Sequence, residues 1–185
     1  MRLYVGHTHE LDPTLLETVR RFLVEVFDDE FSEQDWEHSL GGIHVIAFDG
    51  DDVVGHASVV QRQMIVGGRT IRIGYVEGVG VRADRQRAGI GGQMMSVLEG
   101  IIERAFDFGA LSASDAAVPM YAGRGWTVWR GPLSALTPDG VVPTPEEEGG
   151  VYVWNQRDQD IDGGIDGGID VAAELSCDWR AGDLW

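Results

Sequence analysis

Apolar residues recur at helical spacing in two long stretches of the chain. The first follows Asp12 and Pro13, which suit an N-cap and a first helical turn, and it predicts a helix over residues 13–27. The second predicts a helix over residues 90–106, and Ser32 opens a shorter predicted helix that ends at His38. The apolar positions of the first helix are Leu15, Leu16, Val19, Phe22, Leu23, Val26 and Phe27.

Strand patterns joined by tight turns lie between the long helices. Residues 43–48, 53–66 and 70–81 are rich in apolar residues, and Asp-Gly and Gly-Gly turns separate them. Three consecutive strands of this kind predict an antiparallel meander. A further short strand is expected at residues 2–6.

The C-terminal half combines shorter elements, with a helix expected at residues 116–123 and a loop over residues 138–150. The order of elements predicts one α+β domain over residues 1–185, with a mixed, mostly antiparallel sheet flanked by helices. Residues 161–170 repeat Ile-Asp-Gly-Gly and are expected to form a flexible Gly/Asp-rich insertion loop, and residues 171–185 a docked tail, because Trp179 and Trp185 would otherwise be exposed. The late strands are expected at residues 110–113, 126–129, 132–136 and 151–154.

The composition narrows the choice of partners. The 31 acidic and 14 basic residues give a net charge of −17. Such a surface disfavours nucleic acid and anionic membranes and attracts a polycation, although it could also serve solubility alone. No apolar run approaches the roughly 20 residues of a membrane span, and the N-terminus lacks the pattern of a signal peptide. The single Cys177 cannot form an internal disulfide, so a cytoplasmic protein is expected.

The segment with the most specific chemistry precedes the second long helix. A strand ending in Val81 leads into Gln86-Arg87-Ala88-Gly89-Ile90-Gly91, and the helix follows at once. Glycines let a ligand approach the backbone, and the amides of a helix N-terminus bind anions, so this loop is a candidate pyrophosphate site. A plain structural turn is the alternative. A nucleotide-triphosphate loop is excluded because it needs a lysine and the chain has none, and a dinucleotide fold would place its glycines after the first strand of a parallel sheet.

Several motifs resemble known enzymes. The pattern Gln86-x-x-Gly89-x-Gly91 after a strand resembles the pyrophosphate loop of the GCN5-related N-acetyltransferases, and residues 120–126 resemble their second signature, a tyrosine before a glycine-aromatic turn. The resemblance implies that superfamily's fold, acetyl-CoA as cofactor, no metal and a homodimer. Four further stretches resemble the aminoglycoside 2′-N-acetyltransferases of actinobacteria, which implies acetylation of the 2′-amine of aminoglycosides and antibiotic resistance. They are residues 35–42, 74–78, 109–112 and 177–185.

The resemblance also implies how the cofactor is held. Backbone groups of the strand before the glycine loop would pair with the pantetheine arm of acetyl-CoA. Amides from Arg87 to Gly92 would bind the pyrophosphate, and Gln86 would cap the loop. The implied cofactor-binding residues are Val79, Gly80, Val81, Gln86, Arg87, Ala88, Gly89, Ile90, Gly91 and Gly92.

Two residues have implied catalytic roles. Glu77 would remove a proton from the acceptor ammonium through water, or alternatively would only bind the cationic substrate. Tyr121 would donate a proton to the leaving thiolate, or alternatively is a packed helix tyrosine. Direct transfer is expected because no activated nucleophile is evident. The implied substrate-binding residues are Glu30, Asp35, Glu77, Gly78, Ser112, Glu147, Asp183 and Trp185, the last through its free carboxylate.

Other functions remain open at this point. The same fold could acetylate a cell-wall sugar, a polyamine or a protein N-terminus, or it could bind a drug or cofactor without turnover. His38 and His44 lie outside any zinc-binding motif, and no cysteine-hydrolase signature surrounds Cys177. Neither a metal site nor a cysteine nucleophile is therefore expected.

Overall fold

The computed structural model describes residues 1–28, 30–155 and 170–185, so the predicted insertion lies outside the described residues except for Asp170. Its fold is α+β with a mixed, mostly antiparallel sheet, as expected. The helices are α1 (Pro13–Val26), α2 (Glu33–Ser39), α3 (Ile90–Ala105) and α4 (Val118–Ala122). The strands are β1 (Arg2–His7), β2 (Ile43–Asp49), β3 (Asp52–Val66), β4 (Arg69–Val81), β5 (Phe108–Ser112), β6 (Thr127–Val128), β7 (Leu133–Thr137), β8 (Gly140–Pro143), β9 (Val151–Trp154) and β10 (Leu175–Cys177).

Local sequence signals set the ends of the N-terminal elements. The carboxylate of Asp12 accepts a hydrogen bond from the amide of Thr14 at 2.8 Å, which confirms the predicted cap of α1. Ser32 caps α2 in the same way. Gly67 and Gly68 both have positive φ, 54° and 80°, as the tight turn between β3 and β4 requires.

One prediction for the C-terminal half was wrong, and one strand was not predicted. Residues 138–150 were expected to form a loop, but they contain β8 and a 3₁₀ turn at Pro145–Glu147. The tail contains β10, which no pattern predicted because three residues cannot show a periodicity. β10 forms because it pairs on both sides, antiparallel to β3 and parallel to β7. Trp185 is buried, whereas Trp179 is 52% exposed.

Contacts divide the described chain into two compact units. The first unit consists of Met1–Val60 and Val76–Ile101. Here β2 pairs with β1 and β3, and the apolar face of α1 packs in a core with Trp36 and Phe48. A Cβ added to Gly80 would lie only 3.1 Å from Val26 of α1, so this glycine lets the end of β4 pack closely against that helix.

The second unit consists of Gln61–Tyr75 and Ile102–Trp185. β5 pairs parallel to β4 and antiparallel to β9, and β9 also pairs with β6. The tail is held by Arg62, whose buried guanidinium donates to the carboxylate of Asp178 at 2.7 Å and stacks on Tyr75. The division into units does not test the expected single domain, which stays a prediction.

Candidate functional site

The end of β4 departs from regular strand geometry at Gly78. This glycine has φ of 56°, a left-handed conformation that disfavours other residues. A Cβ at this position would also lie 3.1 Å from the hydroxyl of Ser39. The carbonyl of Gly78 accepts a hydrogen bond from the ring of His56 at 2.7 Å, and the carbonyl of Glu77 accepts one from Ser58 at 3.2 Å. The backbone beside the predicted base is therefore fixed by side chains of β3.

His56 belongs to a buried chain of hydrogen bonds that also contains Thr8 and His44. Nδ1 of His44 lies 2.9 Å from Nε2 of His56, and Nε2 of His44 lies 2.8 Å from the hydroxyl of Thr8. Burial, with a smaller contribution from His7, lowers the pKa of His44 to about 4. Burial, with a smaller contribution from His44, lowers the pKa of His56 to about 3. Both rings are neutral at physiological pH.

The predicted glycine loop adopts the geometry of an exposed anion site. Residues 83–89 are exposed, and Arg87 and Gly89 have positive φ of 60° and 79°. The hydrogen bonds of α3 begin with the bond from the amide of Gln93 to the carbonyl of Gly89. The amides of residues 90–92 precede that bond, so they lack carbonyl partners within the helix.

Side chains around the loop are arranged by charge and hydrogen bonding. The side-chain amide of Gln86 donates to the carbonyl of Val81 at 3.2 Å, so it joins the loop to the end of β4. Arg82 and Arg85 form ion pairs with Asp84 and Asp49. In the part of the chain that the structure describes, Arg87 forms no ion pair, so its exposed guanidinium can meet a ligand.

Two of the acidic substrate candidates of the first unit, Glu30 and Asp35, differ in their surroundings. Glu30 is exposed. Asp35 accepts hydrogen bonds from the amide and the hydroxyl of Ser32, both at 2.8 Å, and so completes the capping box of α2. One oxygen of Asp35 therefore has a structural role that the sequence resemblance did not indicate.

In the second unit, Tyr121 lies on α4 and is 4% exposed. Its ring meets Trp126 edge-on at 5.9 Å between centroids. Burial raises the pKa of Tyr121 to about 12. The phenol therefore keeps its proton at neutral pH, which is the form that a general acid must have before it donates.

Acidic groups converge near the C-terminus of the second unit. Burial raises the pKa of Glu147, and the negative charges of Asp183 and Glu146 raise it further. The indole of Trp185 donates to the hydroxyl of Thr144 at 2.9 Å, and the amide of Glu147 donates to the carbonyl of Thr144. These contacts bring the predicted substrate residues Glu147, Asp183 and Trp185 into one acidic group.

Two more contacts extend this acidic group. The amide of Gly150 donates to the carbonyl of Glu147, and a Cβ on Gly150 would lie 3.8 Å from the hydroxyl of Ser112, which places Ser112 nearby. Arg180 donates to the carbonyl of Asp183 at 2.6 Å and to an oxygen of the terminal residue Trp185 at 3.1 Å. Arg180 therefore holds the backbone of Asp183 and Trp185 in place.

Sequence reasoning missed the side chains that hold these groups in place. His44, His56, Thr144 and Arg180 were not among the predicted site residues. The one available signal was two histidines within apolar strands, where a polar group needs a partner. Cys177 is buried and its pKa is raised, first by burial, which makes it a poor nucleophile. Among the described residues there is no cluster of potential metal ligands and no helix long and apolar enough to cross a membrane.

Comparisons with known proteins agree with this geometry. Residues 7–129 match the family model of the acetyltransferase (GNAT) domain. An aminoglycoside 2′-N-acetyltransferase from Mycolicibacterium fortuitum is 42% identical over 182 residues, which cover 97% of this chain and 89% of the relative.

Solved structures share the fold at lower identity. Eis1 from Mycobacterium abscessus superposes with a TM-score of 0.60 at 17% identity, over 72% of this chain and 34% of that protein. This chain thus spans about a third of the length of Eis1. ElaA from Escherichia coli superposes with a TM-score of 0.59 at 17% identity, over 83% of this chain and 99% of ElaA.

Proposed function

Because the chain belongs to the GNAT acetyltransferases and, within them, to the aminoglycoside 2′-N-acetyltransferase family, we propose that it transfers the acetyl group of acetyl-CoA to the 2′-amine of aminoglycosides and so confers resistance to them. The observation that supports this most is the 42% identity, because it extends over 97% of the chain. The proposal also includes a homodimer, which analytical ultracentrifugation would test, and a cytoplasmic location.

The glycine loop suits the pyrophosphate of acetyl-CoA. The amides of residues 90–92 and the guanidinium of Arg87 supply hydrogen bonds and positive charge at a helix N-terminus. A Cβ on Gly89 would meet nothing closer than 3.9 Å, so the approach to the backbone is open. Backbone groups of Val79, Gly80 and Val81 would hold the pantetheine arm. When bound, acetyl-CoA supplies an activated thioester carbonyl.

Replacing Gly89 with alanine is expected to weaken the cofactor site. The left-handed conformation costs an L-residue roughly 1–2 kcal/mol, so the loop would relax away from its present geometry. We expect the KM for acetyl-CoA to rise about tenfold, with the KM for the aminoglycoside unchanged. Gly68→Ala is the matched control, because Gly68 has nearly the same φ of 80° and the same open surroundings in a hairpin turn. An equal rise in both variants would show that strain alone, and not cofactor contact, is responsible.

Glu77 and Tyr121 would carry the proton transfers. An aliphatic amine is mostly protonated at neutral pH and has no lone pair for attack, so Glu77 would remove a proton from the ammonium through water. The amine would then attack directly, with the new C–N bond replacing the C–S bond. The buried phenol of Tyr121 would give a proton to the departing sulfur, and the second proton that the nitrogen loses would restore the phenol.

The acceptor would be recognised through charge. In the second unit, burial raises the pKa of Glu147, and the nearby carboxylates of Asp183 and Glu146 raise it further. An ammonium group beside them would relieve this repulsion and form charge-assisted hydrogen bonds. Glu30, the remaining oxygen of Asp35 and Gly78 are the proposed acceptor-binding groups of the first unit, and Ser112 is a further one of the second.

Steady-state release of the coenzyme A thiol tests the proposed function against its rivals. Purified protein is supplied with acetyl-CoA and one of three acceptors: gentamicin, spermidine or a peptide with a free N-terminus. The proposal predicts turnover with gentamicin. Release with spermidine or the peptide alone would indicate another amine substrate, and release with none of them would favour a binding module.

A further inference from the structure

The hydrogen bonds around Gly78 differ from those of an ordinary strand. In a regular strand, successive carbonyls point to opposite edges, so only one of two neighbouring carbonyls can face a given strand. Here the carbonyls of Glu77 and Gly78 both accept from side chains of β3, those of Ser58 and His56. The left-handed φ of 56° at Gly78 makes this possible because it turns the following peptide plane.

The series of hydrogen bonds that runs from Thr8 through His44 and His56 to Gly78 has a fixed donor-to-acceptor direction. A carbonyl can only accept, so Nδ1 of His56 carries the proton and its Nε2 must accept. Nδ1 of His44 then donates to that nitrogen, so Nε2 of His44 must accept from the hydroxyl of Thr8 at 2.8 Å, a shorter contact than the 3.2 Å from this hydroxyl to the carbonyl of Gly42. The hydroxyl in turn accepts from the amide of Gly41 at 2.9 Å. Every ring nitrogen is satisfied with both rings neutral, so burial of the pair leaves no polar atom of either ring without a partner.

This series of hydrogen bonds cannot relay protons to the substrate, because it ends on an amide carbonyl, which does not take up and release a proton at neutral pH. Its effect is mechanical. It fixes the peptide that follows Gly78 and, together with Ser58, the peptide that precedes it, so the backbone on both sides of Gly78 is held by β3. Glu77 is the residue immediately before Gly78, and its side chain direction depends on that backbone.

We propose that His56, supported by His44 and Thr8, is a positioning residue for aminoglycoside acetylation, which holds Gly78 in its left-handed conformation and so sets the direction of the Glu77 carboxylate. The inference rests on the proposed function of Glu77. It assigns no contact with substrate to either histidine. We call the hydrogen bonds from Thr8 through His44 and His56 to Gly78 the brace. A displacement of about 1 Å at a reacting group can cost roughly 10²-fold in rate, so the loss of the brace should lower kcat.

Two substitutions of similar size separate the brace from general stability. In His56→Asn the side-chain amide nitrogen takes the place of Nδ1, so it can still donate to the carbonyl of Gly78. In His56→Gln the amide takes the place of Nε2, so only the contact with His44 is kept. Each variant keeps one of the two hydrogen bonds and loses the other, so their thermal unfolding midpoints should be similar.

We expect His56→Gln to lower kcat with kanamycin B about 10- to 100-fold, and His56→Asn to retain kcat within about threefold of the unmodified protein. The KM for acetyl-CoA should be unchanged in both. Val59→Ala, a substitution of a buried neighbour on β3, controls for lost stability and should leave kcat unchanged. Equal kcat values for the two His56 variants, whether high or low, would overturn the proposal.

A second measurement does not depend on turnover. In NMR spectra of protein labelled with ¹⁵N in histidine, the proposal requires the neutral His56 ring to carry its proton on Nδ1, with slow exchange with water. A proton on Nε2, or fast exchange, would contradict the brace. If the unmodified protein acetylated no aminoglycoside, the proposed function would fail while the spectrum still decided whether the brace exists.

Discussion

Tyr121→Phe is expected to lower kcat by roughly 10- to 10³-fold, the usual range for the loss of one proton donor. The substitution removes only the hydroxyl of a side chain that is 4% exposed and packed edge-on against Trp126, and phenylalanine keeps that packing. Binding of acetyl-CoA does not depend on this proton, so the dissociation constant measured by calorimetry should be unchanged. The effect should therefore be confined to turnover.

The pH dependence gives a second check on Tyr121. A general acid must be protonated, and burial raises the pKa of Tyr121 to about 12. The raised value extends the active, protonated form upward in pH, so kcat should not fall through ionisation of this residue below about pH 11. Tyr152→Phe is the matched control, because Tyr152 is another largely buried tyrosine of the second unit and has no proposed role. Full turnover by Tyr121→Phe would remove this residue as the acid.

Glu77→Gln is expected to lower kcat/KM for the aminoglycoside by about 10²- to 10⁴-fold at neutral pH. Glutamine keeps the size of the side chain but cannot take up a proton. Turnover by the variant then depends on the fraction of acceptor that is already a free amine. At any pH below the pKa of the amine, this fraction grows about tenfold for each unit by which the pH is raised. The deficit should accordingly shrink as the pH rises.

The shape of the pH profile separates the two roles of Glu77. A general base predicts that the profiles of kcat/KM for the unmodified protein and the variant converge at alkaline pH. A carboxylate that only binds the cationic ring predicts a parallel profile with a raised KM, and that result would demote Glu77 to a binding group. Glu37→Gln, at an exposed position of α2, should leave both the profile and KM unchanged.

The helices and long strands could be predicted because their signals are local. The cap at Asp12, the helical spacing of α1 and the glycines of the turn between β3 and β4 all act within a few residues of where they stand. β8 and β10 lacked such signals. β10 has three residues and exists because β3 and β7 pair with it from distant parts of the chain, which no window of sequence records.

The same difference applies to the candidate site. The glycine loop was visible in the sequence because a glycine pattern before a helix is a local signal, and the structure gives Gly89 a positive φ. The brace at Gly78 was not visible, because it depends on His44 and His56 meeting across neighbouring strands. Asp35 was predicted only as a substrate ligand, although its distance of three residues from Ser32 is that of a capping box, and the structure shows that role.

The most direct test of the central claim, acetyl transfer to a 2′-amine, compares two acceptors that differ at that one position. Kanamycin B carries an amine at the 2′ carbon, and kanamycin A carries a hydroxyl there. With acetyl-CoA in excess, we expect thiol release with kanamycin B, a product that NMR identifies as acetylated at the 2′ nitrogen, and little or no release with kanamycin A. Equal release with both compounds, or acetylation of kanamycin B at a different nitrogen, would contradict the account.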